Sequence, residues 1–237
     1  MSQPSTPNFE TSSGQRLLPG LAAHLDRLAG SFDRIDEGHR KAGERLAAWI
    51  AENHARERPL HITVVCTGNS RRSILGATMG NFAAAYCGLP EIRFHSGGTA
   101  PTAFYHGTVA CLKEIGIEIE PTGEEAPRGE PGTANPIYRV RWGSAGEPPM
   151  ETLEFSKRYD DPSNPQQDFA ALMVCDEADA GCPAVRGAAL RISLPFPDPK
   201  TFDQTPEEAT RYAERRDDLG RLMLWVMMRT REHRARR

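Results

Sequence analysis

Short β-branched runs alternate with stretches of helical periodicity along this chain, and that alternation restricts its fold more than any other feature. His61-Ile62-Thr63-Val64-Val65 reads as a strand, Ser73 to Tyr86 as a helix stopped by Gly88, and Glu91 to His95 as a second strand. On that helix Leu75, Met79, Phe82 and Tyr86 share a face, while Gly76 and Gly80 permit close approach to a sheet. His106 to Ile115 reads as a helix ended by Gly116, and Ala170 to Val174 and Leu190 to Leu194 as further strands. Pro206 to about Arg231 closes the chain as a long helix, with Tyr212, Leu219, Met223 and Val226 on its buried face. Strands separated by helices imply an α/β fold built on a parallel sheet with both faces covered.

Two regions stand outside this rhythm. Residues 1–16 are rich in Ser, Thr, Pro and Gly and are expected to be disordered. From Leu17 to about Ala55, Leu21, Leu25, Leu28, Phe32 and Ile35 recur at helical spacing. Leu46, Trp49 and Ile50 follow after a polar break holding Gly38 and Gly43. The expectation is a two-helix extension within 1–56, packed on the main domain or on a second copy of the chain. Residues 121–168 hold 8 of the 19 prolines. A structureless loop of that length is unusual, so an insertion with its own small structure is expected. Ile137–Trp142 and Thr152–Phe155 are its candidate hairpin. The main domain is then 57–237 with insertion 121–168.

Composition narrows the function classes. Twenty-nine basic against 32 acidic residues leave a net charge of −3, which argues against an extended nucleic-acid footprint. An apolar fraction of 38% and a mean hydropathy of −0.54 suggest polar elaboration around a smaller core. No apolar run approaches the ~20 residues of a membrane span, and the first residues carry no secretory pattern. Five cysteines, an odd number, do not suit an extracellular disulfide framework. The expected setting is cytoplasmic and reducing, with cysteines free for chemistry.

Chemistry concentrates in Val64-Val65-Cys66-Thr67-Gly68-Asn69-Ser70-Arg71-Arg72-Ser73. A cysteine ends a strand, a tight turn follows, and a helix begins. Backbone N–H groups of such a loop and first helical turn converge on a tetrahedral oxyanion. The same field, with Arg72 and the Ser73 hydroxyl, favours a thiolate on Cys66. Gly68 and Asn69 suit positions of positive φ, and Arg72 offers a planar fork for two oxygens. The expected oxyanion-binding set is Thr67, Gly68, Asn69, Ser70, Arg71, Arg72 and Ser73. A nucleophile inside an anion cradle is suited to attack on phosphorus or arsenic.

On these residues the chain resembles the low-molecular-weight protein tyrosine phosphatases and the thioredoxin-coupled arsenate reductases of the same fold. His95-Ser96-Gly97-Gly98-Thr99, Leu112-Lys113-Glu114-Ile115-Gly116-Ile117 and Asp198-Pro199 extend the resemblance over 57–120 and 169–237. It implies a four-stranded parallel doubly wound sheet. It further implies Cys66 as nucleophile, Arg72 on the oxyanion and Asp198 as general acid. An Asp-Pro in a loop is on its own commonly just a turn, but this one lies beyond a strand's carboxyl end, where α/β sheets bind ligands.

Cys175 and Cys182 stand seven apart just beyond the third strand. In a regular helix that spacing is ~10.5 Å, too far for a disulfide, whose Cα atoms lie within ~7 Å; Gly181 and Pro183 make the segment a poor helix. The segment resembles the Cys-x6-Cys stretch of the reductases. That likeness implies a relay: an arsenate adduct on Cys66, a Cys66–Cys175 disulfide with release of arsenite, then a Cys175–Cys182 disulfide reduced by thioredoxin. Cys87 and Cys111 read as core residues, and His95 and His106 as structural or as lining the site mouth. The closing arginines, Arg229 to Arg237, suit a helix C-terminus. Arg71 adds charge where relatives have Cys or Ala. Ala77 replaces a glutamate linked to potassium in several reductases, so neither metal nor other cofactor is expected. Lys200 replaces an aromatic typical of the phosphatases, which favours a small oxyanion over phosphotyrosine.

Three functions compete. The first is a thioredoxin-coupled arsenate reductase using Cys66, Cys175 and Cys182. The second is a phosphatase acting on phosphotyrosine or another phosphomonoester through Cys66, Arg72 and Asp198. The third is an anion sensor without turnover, against which an intact nucleophile, arginine and acid all argue.

Overall fold

Cys66 closes the first strand of the sheet. The structure, a computed structural model, describes residues 17–55, 58–127, 132–144, 149–181 and 184–236. The expected tail 1–16 lies outside them. Helices α1 (Pro19–Ala29) and α2 (Glu37–Asn53) precede strand β1 (Leu60–Cys66), helix α3 (Arg72–Tyr86), strand β2 (Ile92–Gly98) and helix α4 (His106–Lys113). Strands β3 (Glu118–Glu125), β4 (Pro136–Arg141) and β5 (Glu151–Glu154) follow. Strand β6 (Phe169–Met173), helix α5 (Asp176–Gly181), strand β7 (Ala188–Ser193), a 3₁₀ turn (Pro199–Phe202) and helix α6 (Glu208–Ala235) complete the order.

The main sheet is four-stranded, all parallel, in the order β2-β1-β6-β7, and helices flank it. Its inner strands are mostly apolar, as strands covered on both faces require: β6 is buried at every position and β1 at all but one, His61. From β1 the chain steps to β2 on one side, then returns to the other side as β6. The crevice at the carboxyl ends of β1 and β6 is therefore the point where strand order reverses, the place such sheets hold ligands. Cys66 ends one of these strands, and Cys175 follows the other by two residues.

Helix α3 is buried along all of its 15 residues. Its glycines act as expected. A Cβ on Gly76 would stand 2.9 Å from Val64 of β1, and one on Gly80 would stand 2.5 Å from the Phe94 ring of β2. Positive φ at Gly88 and Gly116 ends the turns after α3 and α4, at +68° and +84°. Helix α6 lies along α3, α2, α1 and α4. The amino-terminal pair thus covers the main domain and docks on it through ion pairs such as His24–Asp217 at 3.1 Å and Glu44–Arg229 at 3.0 Å.

The insertion carries the expected hairpin, but as two strands of a three-stranded antiparallel sheet, β3-β4-β5. β3 starts at Glu118, inside the segment assigned to the core, because Ile119 pairs with Val140 and both bury their side chains. Trp142 lies 5.5 Å from Phe82 of α3, ring to ring. The Leu18 amide reaches the Trp142 carbonyl at 3.0 Å, so the two additions also meet one another. Among the described residues no helix is long and apolar enough to cross a membrane.

Candidate active site

The loop between β1 and α3 is shaped by where its carbonyls go. Those of Cys66 and Thr67 accept from the amides of Thr99 and Ala100 at 3.0 and 2.9 Å. The Gly68 carbonyl accepts from the Thr102 amide and the Ser156 hydroxyl, each at 3.0 Å, and Ser70 from the Thr108 hydroxyl at 3.0 Å. Across a trans peptide the following N–H points the opposite way. Drawing these oxygens outward therefore turns the Gly68, Asn69 and Arg71 amides to the concave side. Helix α3 has no side-chain cap, and its first bond back to the loop is Leu75 to Arg71 at 2.9 Å. The amides of Arg72, Ser73 and Ile74 are then the orphan donors of a helix start. The sum is a ring of N–H groups suited to a tetrahedral anion.

Asn69 has the expected positive φ, +41°, whereas Gly68 is not among the positive-φ glycines. What Gly68 supplies is room, since a Cβ there would lie 3.3 Å from the Thr102 hydroxyl. Asn69 is fully buried and works at both ends of its amide. Its Nδ2 donates to Ser73 Oγ at 2.8 Å, and its Oδ1 accepts from the Lys157 amide at 2.8 Å. Ser73 Oγ, which accepts from Asn69, lies 3.1 Å from Cys66 Sγ, so hydroxyl and sulphur share a hydrogen bond.

Arg72 is buried and faces the same crevice. It donates to the Phe196 carbonyl at 3.0 Å and to Asp198 Oδ2 at 2.5 Å, with Glu177 at 4.0 Å on the rim. Asp198 also caps the 3₁₀ turn through the Lys200 amide at 3.1 Å. Two residues 126 positions apart, both singled out from the sequence, are thereby joined.

Arg71 is placed differently from the expectation of added charge at the pocket. Its guanidinium pairs with Asp203, donates to the Tyr212 hydroxyl at 2.5 Å and lies 4.1 Å over the Tyr105 ring. Its charge is spent on tying the loop to α6, which leaves only its backbone amide for an anion.

Cys175 is fully buried, with Sγ 3.4 Å from the Thr67 hydroxyl and 3.4 Å from the Ala178 amide. Burial pushes its thiol above the ordinary range. The expected poor helix between the two cysteines is a helix after all, α5, but only six residues long and ending at Gly181. Cys182 lies outside the described residues. Cys66, Cys87, Cys111 and Cys175 are free thiols.

No family model matches the chain, and no curated protein matches it either. The chemistry has to be argued from the side chains.

Cys87 and Cys111 are buried, and burial pushes both thiols up to about 12, as inert core cysteines require. His95 does not line the mouth. It pairs with Thr63, three residues short of Cys66, and its Nε2 lies 3.0 Å from His61 Nδ1. Burial, helped by His61, Lys157 and Arg93, pushes it down to about 3. His106 stands exposed at the start of α4, against Tyr105. Among the described residues no group of three His, Cys, Asp or Glu is placed to hold a metal ion.

Sequence reasoning missed the insertion's part in the site. Ser156 donates to Gly68, accepts from the Thr102 amide at 3.0 Å and is itself held by Asn135, fully buried. Lys157 bonds to Asn69 and, through its carbonyl, to the Gly98 amide at 2.9 Å. No local pattern announces them, because their partners in the loop lie 88 positions away.

Proposed function

We propose that the protein is an arsenate reductase with a low-molecular-weight phosphatase type of α/β fold. The observation that carries the reading is the Cys175 thiol, buried against Thr67 of the nucleophile loop on the neighbouring strand end. Cys66 attacks arsenate held by the loop amides and Arg72. Oxyanion entry takes over the Arg72 fork, and the freed Asp198 passes the proton given up by the Cys66 thiol to the departing oxygen, which leaves as water. Cys175 then attacks Cys66 Sγ. The S–As bond breaks with its electron pair going to arsenic, arsenite departs, and a Cys66–Cys175 disulfide remains. Cys182 attacks Cys175, restoring Cys66 and leaving a Cys175–Cys182 disulfide for a thioredoxin dithiol to reduce. The setting that suits this reductant is the cytoplasm.

A second reading, hydrolysis of a phosphomonoester through a Cys66 phosphocysteine, is favoured by the Arg72–Asp198 pair. One assay separates the two. Arsenite formation is followed with a thioredoxin system, beside aryl-phosphate hydrolysis, in wild type, Cys66→Ser and Cys182→Ser. The reductase reading expects Cys66→Ser to lose both activities. It expects Cys182→Ser to stop after one arsenate turnover, with a Cys66–Cys175 disulfide, while still hydrolysing the ester. Unaltered arsenate turnover in Cys182→Ser refutes the relay.

A further inference from the structure

The segment that carries Asp198 is gripped from outside the α/β core. We propose that His39, in the amino-terminal helix pair, is a positioning residue that fixes Asp198 beside Arg72; this rests on the acid role given to Asp198 above.

His39 lies in the first turn of α2, where Asp36 caps the helix by accepting from the His39 amide at 2.9 Å. The other oxygen of the same carboxylate takes the ring's Nδ1. That turns Nε2 outward, 3.0 Å from the Pro195 carbonyl. The Pro195 carbonyl is a pure acceptor, so that contact uses a ring N–H at Nε2, and the two contacts together fix the ring's orientation. In that orientation it lies flat on Phe196, with 4.2 Å between centroids and 15° between planes. One imidazole thus holds two consecutive residues of the acid segment, by a hydrogen bond on Pro195 and by stacking on Phe196.

Phe196 is the link to the site. Its carbonyl is the oxygen to which Arg72 donates, and its amide is held by Val174 at 3.1 Å, next to Cys175. Pro195, Pro197 and Pro199 alternate with Phe196 and Asp198. Each proline fixes φ, so the segment is stiff and a shift at Phe196 is passed on to Asp198 rather than absorbed. A general acid works only within hydrogen-bond reach of the atom it protonates. A displacement of ~1 Å from a remote change is enough to cost catalysis heavily. The α2 cap needs only the His39 backbone, which leaves the ring free for the role at Pro195 and Phe196.

The test uses full-length His39→Ala, His39→Gln and Asp198→Asn with two aryl phosphates. Para-nitrophenyl phosphate has a leaving group that needs little protonation, whereas phenyl phosphate depends on the acid. His39→Ala is expected to lose less than about threefold in kcat/KM on the nitrophenyl ester and about tenfold or more on phenyl phosphate. Asp198→Asn is expected to show the same discrimination more strongly. His39→Gln, which keeps an N–H donor and folds without the stack, recovers most of the phenyl phosphate activity. An equal loss on both esters in His39→Ala, or no loss, overturns the proposal. Amide exchange across residues 195–203 gives a readout that needs no turnover. It is expected to speed up in His39→Ala while β1 and β6 stay protected, and unchanged exchange also overturns the proposal. If Asp198→Asn does not discriminate between the esters, or wild type hydrolyses neither, the acid role of Asp198 falls instead. The exchange result then decides the hold of His39 on its own.

Discussion

Asn69 and Lys157 stand 88 positions apart, yet the Asn69 side-chain oxygen accepts the Lys157 backbone amide at 2.8 Å. The other end of that side chain supports Ser73, the hydroxyl beside the Cys66 sulphur. A single buried amide therefore connects the insertion to the nucleophile. The insertion is a wall of the Cys66 loop rather than an ornament on the domain.

Ser156→Ala should expose that dependence. The change leaves the Thr102 amide with Gly68 as its one remaining acceptor and removes one of the donors on the Gly68 carbonyl. Stability is expected to fall by about 1–3 kcal/mol, from about 0.5–1.5 for each of the two hydrogen bonds lost. Affinity for inorganic phosphate is expected to drop roughly fivefold or more as the loop relaxes. Calorimetric melting and titration measure the two effects separately.

The resolving step should speed up with pH. Burial holds Cys175 as a neutral thiol beyond its ordinary value of about 9, and only the thiolate attacks. In Cys182→Ser, formation of the Cys66–Cys175 disulfide after arsenate addition is expected to quicken about tenfold per pH unit between about pH 6 and 8. Rapid quenching with alkylation reports it. A flat profile means that Cys175 is already a thiolate when it reacts.

His95 predicts an acid limb in stability. Its folded value, about 3, lies below the ordinary 6.5, so the unfolded chain takes up a proton that the folded one refuses. The contribution is complete above about pH 6.5 and is lost as pH falls toward about 3, with a slope of up to about 1.4 kcal/mol per pH unit. Its partner His61 is shifted the same way by burial and by Arg93. Urea unfolding across this range should show a shallower slope in His95→Gln than in wild type.

Gly80→Ala tests the closeness of α3 to the sheet. The added carbon would meet the Phe94 ring at 2.5 Å, so the buried helix or the ring has to shift. A loss of about 1–3 kcal/mol is expected from overpacking, seen as a lower melting temperature with the folded spectrum retained.

Local patterns were the legible part of this chain. The strand ending at Cys66, the glycine stops and the amphipathic helices each declare themselves within a dozen residues, because period and capping are short-range properties. Arg72 and Asp198 were singled out together through the family resemblance, with the place of Asp198 beyond a strand end in support. What stayed hidden depends on packing between distant segments: His39 on Phe196, Ser156 on Gly68, and Arg71 turned toward Asp203. A charge beside a pocket in sequence can point either way, and Tyr212 on α6, 141 positions on, decides the direction for Arg71. β3 was hidden for another reason. Its exposed run, Glu118 to Glu125, is mostly polar and carries Pro121, so no strand pattern survives in it.

The supports of the Cys66 loop have an order in time. The loop itself, residues 66–73, is synthesised well before Ser156 and Lys157, which hold it from one side, and before Phe196 and Asp198, which engage Arg72. A chain emerging from the ribosome therefore has the Cys66 loop held only by nearer partners such as Thr99, Ala100 and Thr108 until these later segments are made, and the contacts they add are long-range and slow to form. The side chains that face Cys66 are thus brought together last, by the end of the chain rather than by the segment that holds the cysteine.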